Sequence, residues 1–339
     1  MTKTSERVPA AVAIWLWAVA FLIFCMVIVG GATRLTDSGL SITEWRPLLG
    51  AIPPLSDADW LGAFEKYKLI PEYQIQNKGM ALEDFKFIYW WEWSHRFLGR
   101  AIGLIFILPL LFFMATKAIP RRMWARLTLL FLLGGAQGAL GWFMVASGLS
   151  ERVDVSQYRL AAHLTFAVLL FAGVVWTALG LNVRRFWQDS SEHRMAVVML
   201  ALLFAQVAAG GFVAGLDAGF ASNTWPKMND AWVPAGLFVM EPLWKNAFEN
   251  ALAVQFNHRV LAYCILAYGL WLARYSTRLS AWLIVAGLLA QMTLGILTVV
   301  WGVPLWVALI HQGGALVLIG LALWHMHGVM VRPRKRPLT

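Results

Sequence analysis

The chain has 339 residues, of which 60% are hydrophobic and only 14% charged, with 19 tryptophans, and that composition excludes an ordinary soluble domain of this length. A formal charge of +10 would fit a nucleic-acid binder if it were clustered on a polar surface. Here the basic residues sit in short turns between apolar runs, so no nucleic acid partner is expected and the lipid bilayer is the surface they face.

Apolar runs fall near 11–32, 92–116, 123–147, 158–182, 195–216, 252–274, 280–301 and 304–327. Each approaches the roughly 20 residues that cross a bilayer, which predicts an all-α integral membrane protein with eight transmembrane helices. The short polar stretch before the first run carries no convincing cleavage signal, so the first helix is expected to be an uncleaved anchor. Trp15, Trp17, Trp301 and Trp306 fit interfacial belts. Between the first two runs lies a long connection, 33–91, in which Trp60, Phe64 and Tyr67 have amphipathic spacing; helices lying on the outer mouth are expected there. Cys25 and Cys264 both fall inside apolar runs, which excludes a loop disulfide and marks them as small buried hydrophobes.

The charges orient the bundle. Fifteen of the 28 lysines and arginines lie in the two tails and in the turns near 117–126, 184–194 and 274–278, where only Glu6, Asp189 and Glu192 oppose them. By the positive-inside rule both termini are cytoplasmic, and in a bacterium the membrane is the cytoplasmic (inner) one.

The chain also repeats itself. The first helix ends G-G-A-T-R-L-T-D-S-G-L-S-I-T-E-W and the fifth ends G-G-F-V-A-G-L-D-A-G-F-A-S-N-T-W, so a shift of 180 lays Gly30 on Gly210, Asp37 on Asp217 and Trp45 on Trp225. Shorter shifts continue the match: His95-Arg96 on His258-Arg259 at 163, Gln137 on Gln291 at 154 and His163 on His311 at 148. Two four-helix units follow, 11–182 and 195–327. Because four spans is an even number, the second unit enters from the same side as the first, which makes these parallel repeats, two pseudo-symmetric four-helix bundles. The first outer connection is about 17 residues longer than the second, so only the first unit carries an extended cover.

Polar residues inside these runs point to chemistry. His95, His163, His258 and His311 each stand a few residues inside the outer end of a run, where an unsatisfied ring is costly. Two pairs on facing helices suggest two bis-histidine haems with iron as the metal; the bland alternative is a hydrogen bond to a neighbouring helix. Arg96 and Arg259 are candidates for the haem propionates, with headgroup snorkelling as the alternative. Glu92 lies three residues before His95, hence on the same helix face, and its counterpart is Gln255. Proton chemistry confined to the first unit would explain the difference; a plain acid at a helix start would also explain Glu92. Gln137 and Gln291 can bond a ligand or another helix. His193, in a turn, is expected to be solvated, and His325 and His327 to lie at headgroup level.

The string G-G-x-T-R-L-T-x-S-G-L-S-I-T-E-W, followed by E-x-x-H-R, His163, N-H-R and I-H-Q, closely resembles the haem A synthase family from about Gly30 to His311. The long first outer loop without cysteines resembles its proteobacterial and mitochondrial branch. The resemblance implies an oxidoreductase that oxidises the C8 methyl of haem O to a formyl group, giving haem A for terminal cytochrome oxidase. It implies that His95 and His163 flank the substrate iron with Glu92 as the acid-base residue, and that His258 and His311 ligate a haem b that transfers electrons. Haem O synthase is then a candidate donor of substrate and cytochrome oxidase assembly the setting; the electron partner and any homo-oligomer stay open. A bis-histidine di-haem electron carrier of cytochrome b type and a parallel-repeat proton transporter are the competing readings. Glu92 and the extra loop favour the enzyme, and the clustering of histidines at the outer face disfavours a midplane transport site.

Overall fold

The computed structural model describes residues 8–45, 49–146, 148–149, 153–181 and 190–330. The expectations for Lys3, Glu6, Arg7, Arg184, Arg185, Asp189 and the basic run 332–336 lie outside these residues. Among the described residues the chain is all-helical, with eleven α-helices and no named strand. The long ones are α1 (Ala10–Leu35), α4 (Leu82–Ala115), α5 (Arg121–Ala146), α6 (Gln157–Leu179), α7 (Ser191–Gly215), α9 (Ala251–Tyr275), α10 (Leu279–Val300) and α11 (Leu305–Val329). The outer connections contribute the shorter α2 (Asp57–Tyr67), α3 (Pro71–Ile75) and α8 (Asn246–Glu249).

Seven of the long helices have the length and apolarity to cross a membrane. The eighth, α9, has 25 residues but is less apolar, because Gln255, Asn257, His258 and Arg259 occupy its second turn and Arg274 its last. α4 starts ten residues before the expected span. Its first turns pack Phe85, Ile88 and Tyr89 against Trp60, Phe64 and Tyr67 of α2, a separate apolar cluster over the outer end. The amphipathic spacing read from the loop is thus used by a second amphipathic segment at the start of α4. Ser56 and Asp59 close a capping box on α2, each side chain accepting from the other's backbone N–H and so supplying two of the acceptors that a free helix start lacks.

Lipid offers no partner for a backbone group, so irregularities must be met inside the protein. Pro109 interrupts α4 and releases the carbonyl of Ile105, four residues back. The indole Nε1 of Trp15 on α1 donates to that oxygen at 2.8 Å. Trp15 is therefore buried against α4, a correction to its expected place in an interfacial belt; Trp17, Trp301 and Trp306 are exposed.

α1 packs on α4 and α6, and α6 on α5; correspondingly α7 packs on α9 and α11, and α11 on α10. The two groups meet where α6 lies on α7, α1 on α11 and α6 on α11. At the first seam a Cβ on Gly211 would fall 2.7 Å from the Ala161 Cα, so the backbones touch. At the second, Gln312 fills the space beside Gly31 and donates from Nε2 to the Val27 carbonyl at 2.9 Å. Outside the apolar core, Arg34 spans the groups, with its two terminal nitrogens 2.8 Å from Asp37 and 2.8 Å from Asp217. Both aspartates have left-handed backbone, φ 47° and 49°, so the turns that aligned in sequence also match in conformation.

Candidate functional site

Each helix that carries one of the four candidate ligand histidines starts at the same end of the molecule. His163, His258 and His311 are the seventh, eighth and seventh residues of α6, α9 and α11, and His95 stands deeper in α4 because that helix begins farther out. His95 lies within electrostatic reach of His163, and His258 of His311, so the structure brings together the pairs expected from the repeat.

A glycine of a neighbouring helix backs every one of these rings. A Cβ built on Gly30 of α1 would stand 3.0 Å from His95 Nε2, and one on Gly141 of α5 2.9 Å from His163 Cε1. In the other group Gly210 of α7 and Gly295 of α10 stand in the same relation to His258 and His311, at 3.3 and 3.0 Å. Four imidazoles are thus held on helix faces where any larger neighbour would displace them. The rings are only partly buried, and Nδ1 of His163 is enclosed without a partner. Paired neutral imidazoles with clearance kept around them are a donor set that a low-spin haem iron accepts, so these residues fit that group.

The segment after α1 folds back onto the start of α4. Glu92, buried, accepts from Ser41 Oγ at 2.7 Å and from the Ile42 N–H at 2.6 Å, and Arg96 donates to its other oxygen at 2.6 Å. Arg96 also donates to the carbonyls of Ile42 and Glu44, at 2.9 and 3.2 Å. In the second group Arg259 repeats these contacts on the matching carbonyls, Ser222 at 2.9 Å and Thr224 at 2.8 Å. There the acid is replaced: Gln255 donates to the Ser222 carbonyl at 3.0 Å and leaves its own Oε1 buried and unpartnered. The positive charge of Arg96 is met by a carboxylate, whereas among the described residues no carboxylate pairs with Arg259. Both guanidiniums keep further N–H groups, and a cleft lined by Ile42, Glu44, Trp45, Arg96, Trp142 and Val145 opens beside the first.

The glutamines serve the histidine helices. Gln137 donates to the His163 carbonyl at 3.0 Å, and Gln291 to that of His311, whose Nδ1 in turn reaches the Gln291 carbonyl at 3.1 Å. The structure corrects one other histidine, His193, which is buried rather than solvated; His325 and His327, expected at headgroup level, are buried too. His325 Nδ1 lies 2.8 Å from Ser280 Oγ, and His327 packs edge-on to Trp176, so helix packing at the inner end encloses them. Two contributors were not singled out from the sequence. Ser41 falls in the matched string but only the fold-back reveals its role. Gln206, whose amide lies 3.2 to 3.3 Å from both ring nitrogens of His258, was signalled by being the one polar side chain in A-L-L-F-A-Q-V-A-A-G-G.

What the fold and these residues define is a multi-pass, all-helical membrane protein with two matched histidine pairs. The chain belongs to the cytochrome oxidase assembly protein family, whose model matches residues 13–323. Among similar proteins, the heme A synthase of Parvibaculum lavamentivorans is 52% identical over 94% of each chain, and that of Azorhizobium caulinodans 53% identical over 95% of each. The heme A synthase of Rhodospirillum centenum is 49% identical over 99% of this chain and 92% of its own.

Proposed function

We propose that the chain is a haem A synthase, an oxidoreductase that converts the C8 methyl of haem O into the formyl group of haem A. The observation that carries this reading is the departure from symmetry at matched positions: Glu92 against Gln255, beside histidines and arginines that are otherwise the same. A di-haem electron carrier has no need of that difference, or of an apolar cap over one site alone.

In this reading residues 11–182 form the substrate unit and 195–327 the unit that keeps haem b, with α9 as the eighth span. His95 and His163 hold the substrate iron; His258 and His311 hold haem b, which when bound supplies electron transfer. Oxidising a methyl carbon to formyl with water as the oxygen source releases four protons and four electrons, and the electrons must leave to an external electron acceptor. Glu92, one turn before His95 on the same face, is the acid-base group for the protons, including those of the attacking water, while Arg96 and the Ser41 and Ile42 donors fix its carboxylate. The cluster of α2 with the start of α4 keeps bulk water from this site, and Arg96 and Arg259 offer their remaining N–H groups to propionates. The arrangement of basic turns supports placing the protein in a bacterial inner membrane with both termini cytoplasmic and the haem sites outward. The family supports a role in cytochrome oxidase assembly; a haem O synthase is the class of partner that delivers substrate.

The test is expression with and without haem O synthase, followed by extraction and chromatography of bound haems. Haem A should appear only with the synthase, and haem b in both cases. His258→Ala and His311→Ala should lose haem b, whereas His95→Ala and His163→Ala should keep it and make no haem A. Loss of haem b from the His95 variant alone would reverse the assignment of the two units.

A further inference from the structure

Among the described residues only two acidic side chains are buried, Glu92 at 2% and Glu72 at 3% exposed, and both stand on the outer side of the first unit. Their surroundings differ. Both oxygens of Glu92 are engaged, one by Ser41 and Ile42 and the other by Arg96, whereas Glu72 Oε2 is enclosed with no hydrogen-bond partner. A charge left in such a place is costly, so Glu72 is built to hold a proton. One apolar cluster seats both acids. Ile70 and Tyr73, on either side of Glu72, pack in it, together with Leu40 and Ile42, on either side of the Ser41 that binds Glu92, and Tyr89, one turn before Glu92 on α4. The two carboxyls lie within electrostatic reach of each other. The other ionisable groups that act on Glu72 are Asp37 beyond the end of α1, Asp154 ahead of α6 and Arg34 of α1, and Glu72 acts in turn on Tyr67 of α2.

Glu92 is enclosed, so every proton it takes from the reaction has to be handed on before it can take the next. We propose that Glu72 is the next proton carrier after Glu92, drawing protons from the substrate site into the cap and releasing them to the water outside. It touches neither substrate nor iron ligand and acts through Glu92. In each transfer an O–H bond at Glu92 breaks and one at Glu72 forms, no electron moves, and four transfers serve one haem. Glu72 gives up its proton as the cap opens and recloses as a carboxylate that draws the next from Glu92. The second unit, with Gln255 in place of Glu92, has no buried acid in its outer connection 216–250. This inference rests on the role of Glu92 as the acid-base group.

The test follows the rate of haem A formation from supplied haem O in membranes holding the full-length protein, with the haem b spectrum as the control for folding. Glu72→Gln should keep haem b and form haem A roughly 10-fold more slowly or worse, the scale of losing a proton-transfer group. Added formate, a small diffusing acid, should restore part of that rate and leave the parent unchanged. Glu72→Asp keeps a carboxyl and should fall between the two. A residue that only holds the cap together would not be replaced by a diffusing acid. A parent-like rate in Glu72→Gln, or a slow rate that neither formate nor Glu72→Asp restores, would overturn the proposal. If the Gln variant fails to fold, Glu72→Asp carries the test: its shorter reach should make the transfer limiting and enlarge the solvent isotope effect on the rate, and an effect equal to the parent's would overturn the proposal. If Glu92→Gln stops haem A formation while the Glu72 variants match the parent, this inference alone falls. If Glu92→Gln forms haem A normally, the role of Glu92 falls with it.

Discussion

Glu72 gives the outer cap a pH dependence that can be worked through. It lies in α3, is 3% exposed, and its Oε2 has no hydrogen-bond partner. Burial, reinforced by the negative charges of Glu92, Asp37 and Asp154 and opposed by Arg34, pushes its carboxyl from the ordinary 4.5 up to about 8. With the cap closed Glu72 therefore keeps its proton between about pH 4.5 and 8, while with the cap open it would lose it. The open state binds fewer protons in that window, so cap stability falls as pH rises, by about 1.4 kcal/mol per unit. The loss is absent below the ordinary value and complete above about 8, and it amounts to roughly 3 to 5 kcal/mol in all. Tyr67, whose hydroxyl accepts from Asn77 at 2.7 Å, is pushed upward by burial and stays protonated throughout. Replacing Glu72 by Gln keeps the shape and removes the titration. The assay is hydrogen exchange of the α2 and α3 amides at pH 5, 6.5 and 8, after correction for intrinsic rates. Protection should fall with pH in the parent and stay level in the variant. A level parent, or the same slope in both proteins, would refute the reasoning.

Three further outcomes follow from contacts already described. Glu92→Gln should keep both haems but lose most haem A formation, since the amide retains the shape while abolishing proton transfer; near-normal output by haem chromatography would reduce Glu92 to anchoring the fold-back. Gly295→Val should expel haem b, because its Cβ already meets the His311 ring at 3.0 Å, whereas Gly138→Val on α5, where a Cβ meets nothing within 4 Å, should leave the absorption spectrum of haem b unchanged. Trp15→Phe strands the Ile105 carbonyl in an apolar interior, at about 1 to 3 kcal/mol, and thermal unfolding in detergent should shift down accordingly.

The histidine pairs were legible because a helical repeat fixes which residues align, and the lipid makes any polar member of the repeat conspicuous. The same alignment set Glu92 over Gln255. The partners of that position were not legible: Ser41 and the Ile42 N–H are brought in by a turn whose path depends on left-handed Asp37, and no periodicity encodes a fold-back. The start of α4 was misplaced because hydropathy detects the part of a helix that faces lipid, while its first turns pack on α2. His193 was read as a turn residue and His325 and His327 from their place at the end of the last helix, but the burial of all three comes from neighbours that converge at the inner end.

Two of the seams between the helix groups have consequences for how the groups can pair. A pair of identical subunits related by a two-fold axis must use the same contacts twice. Here Gly211 touches the Ala161 backbone at one seam, while at the other Gly31 receives the amide of Gln312. The residue matching Gln312 in the first copy is Leu164, and that matching Ala161 in the second is Leu309. One joint is a backbone contact and the other a polar plug, so two first units brought together would leave the Val27 carbonyl without its second donor. Two second copies would set a leucine where Gly211 now meets an alanine. The present pairing satisfies both of these joints, and separately expressed pieces 1–189 and 190–339 should pair with each other in preference to themselves, as co-purification of differently tagged pieces would show.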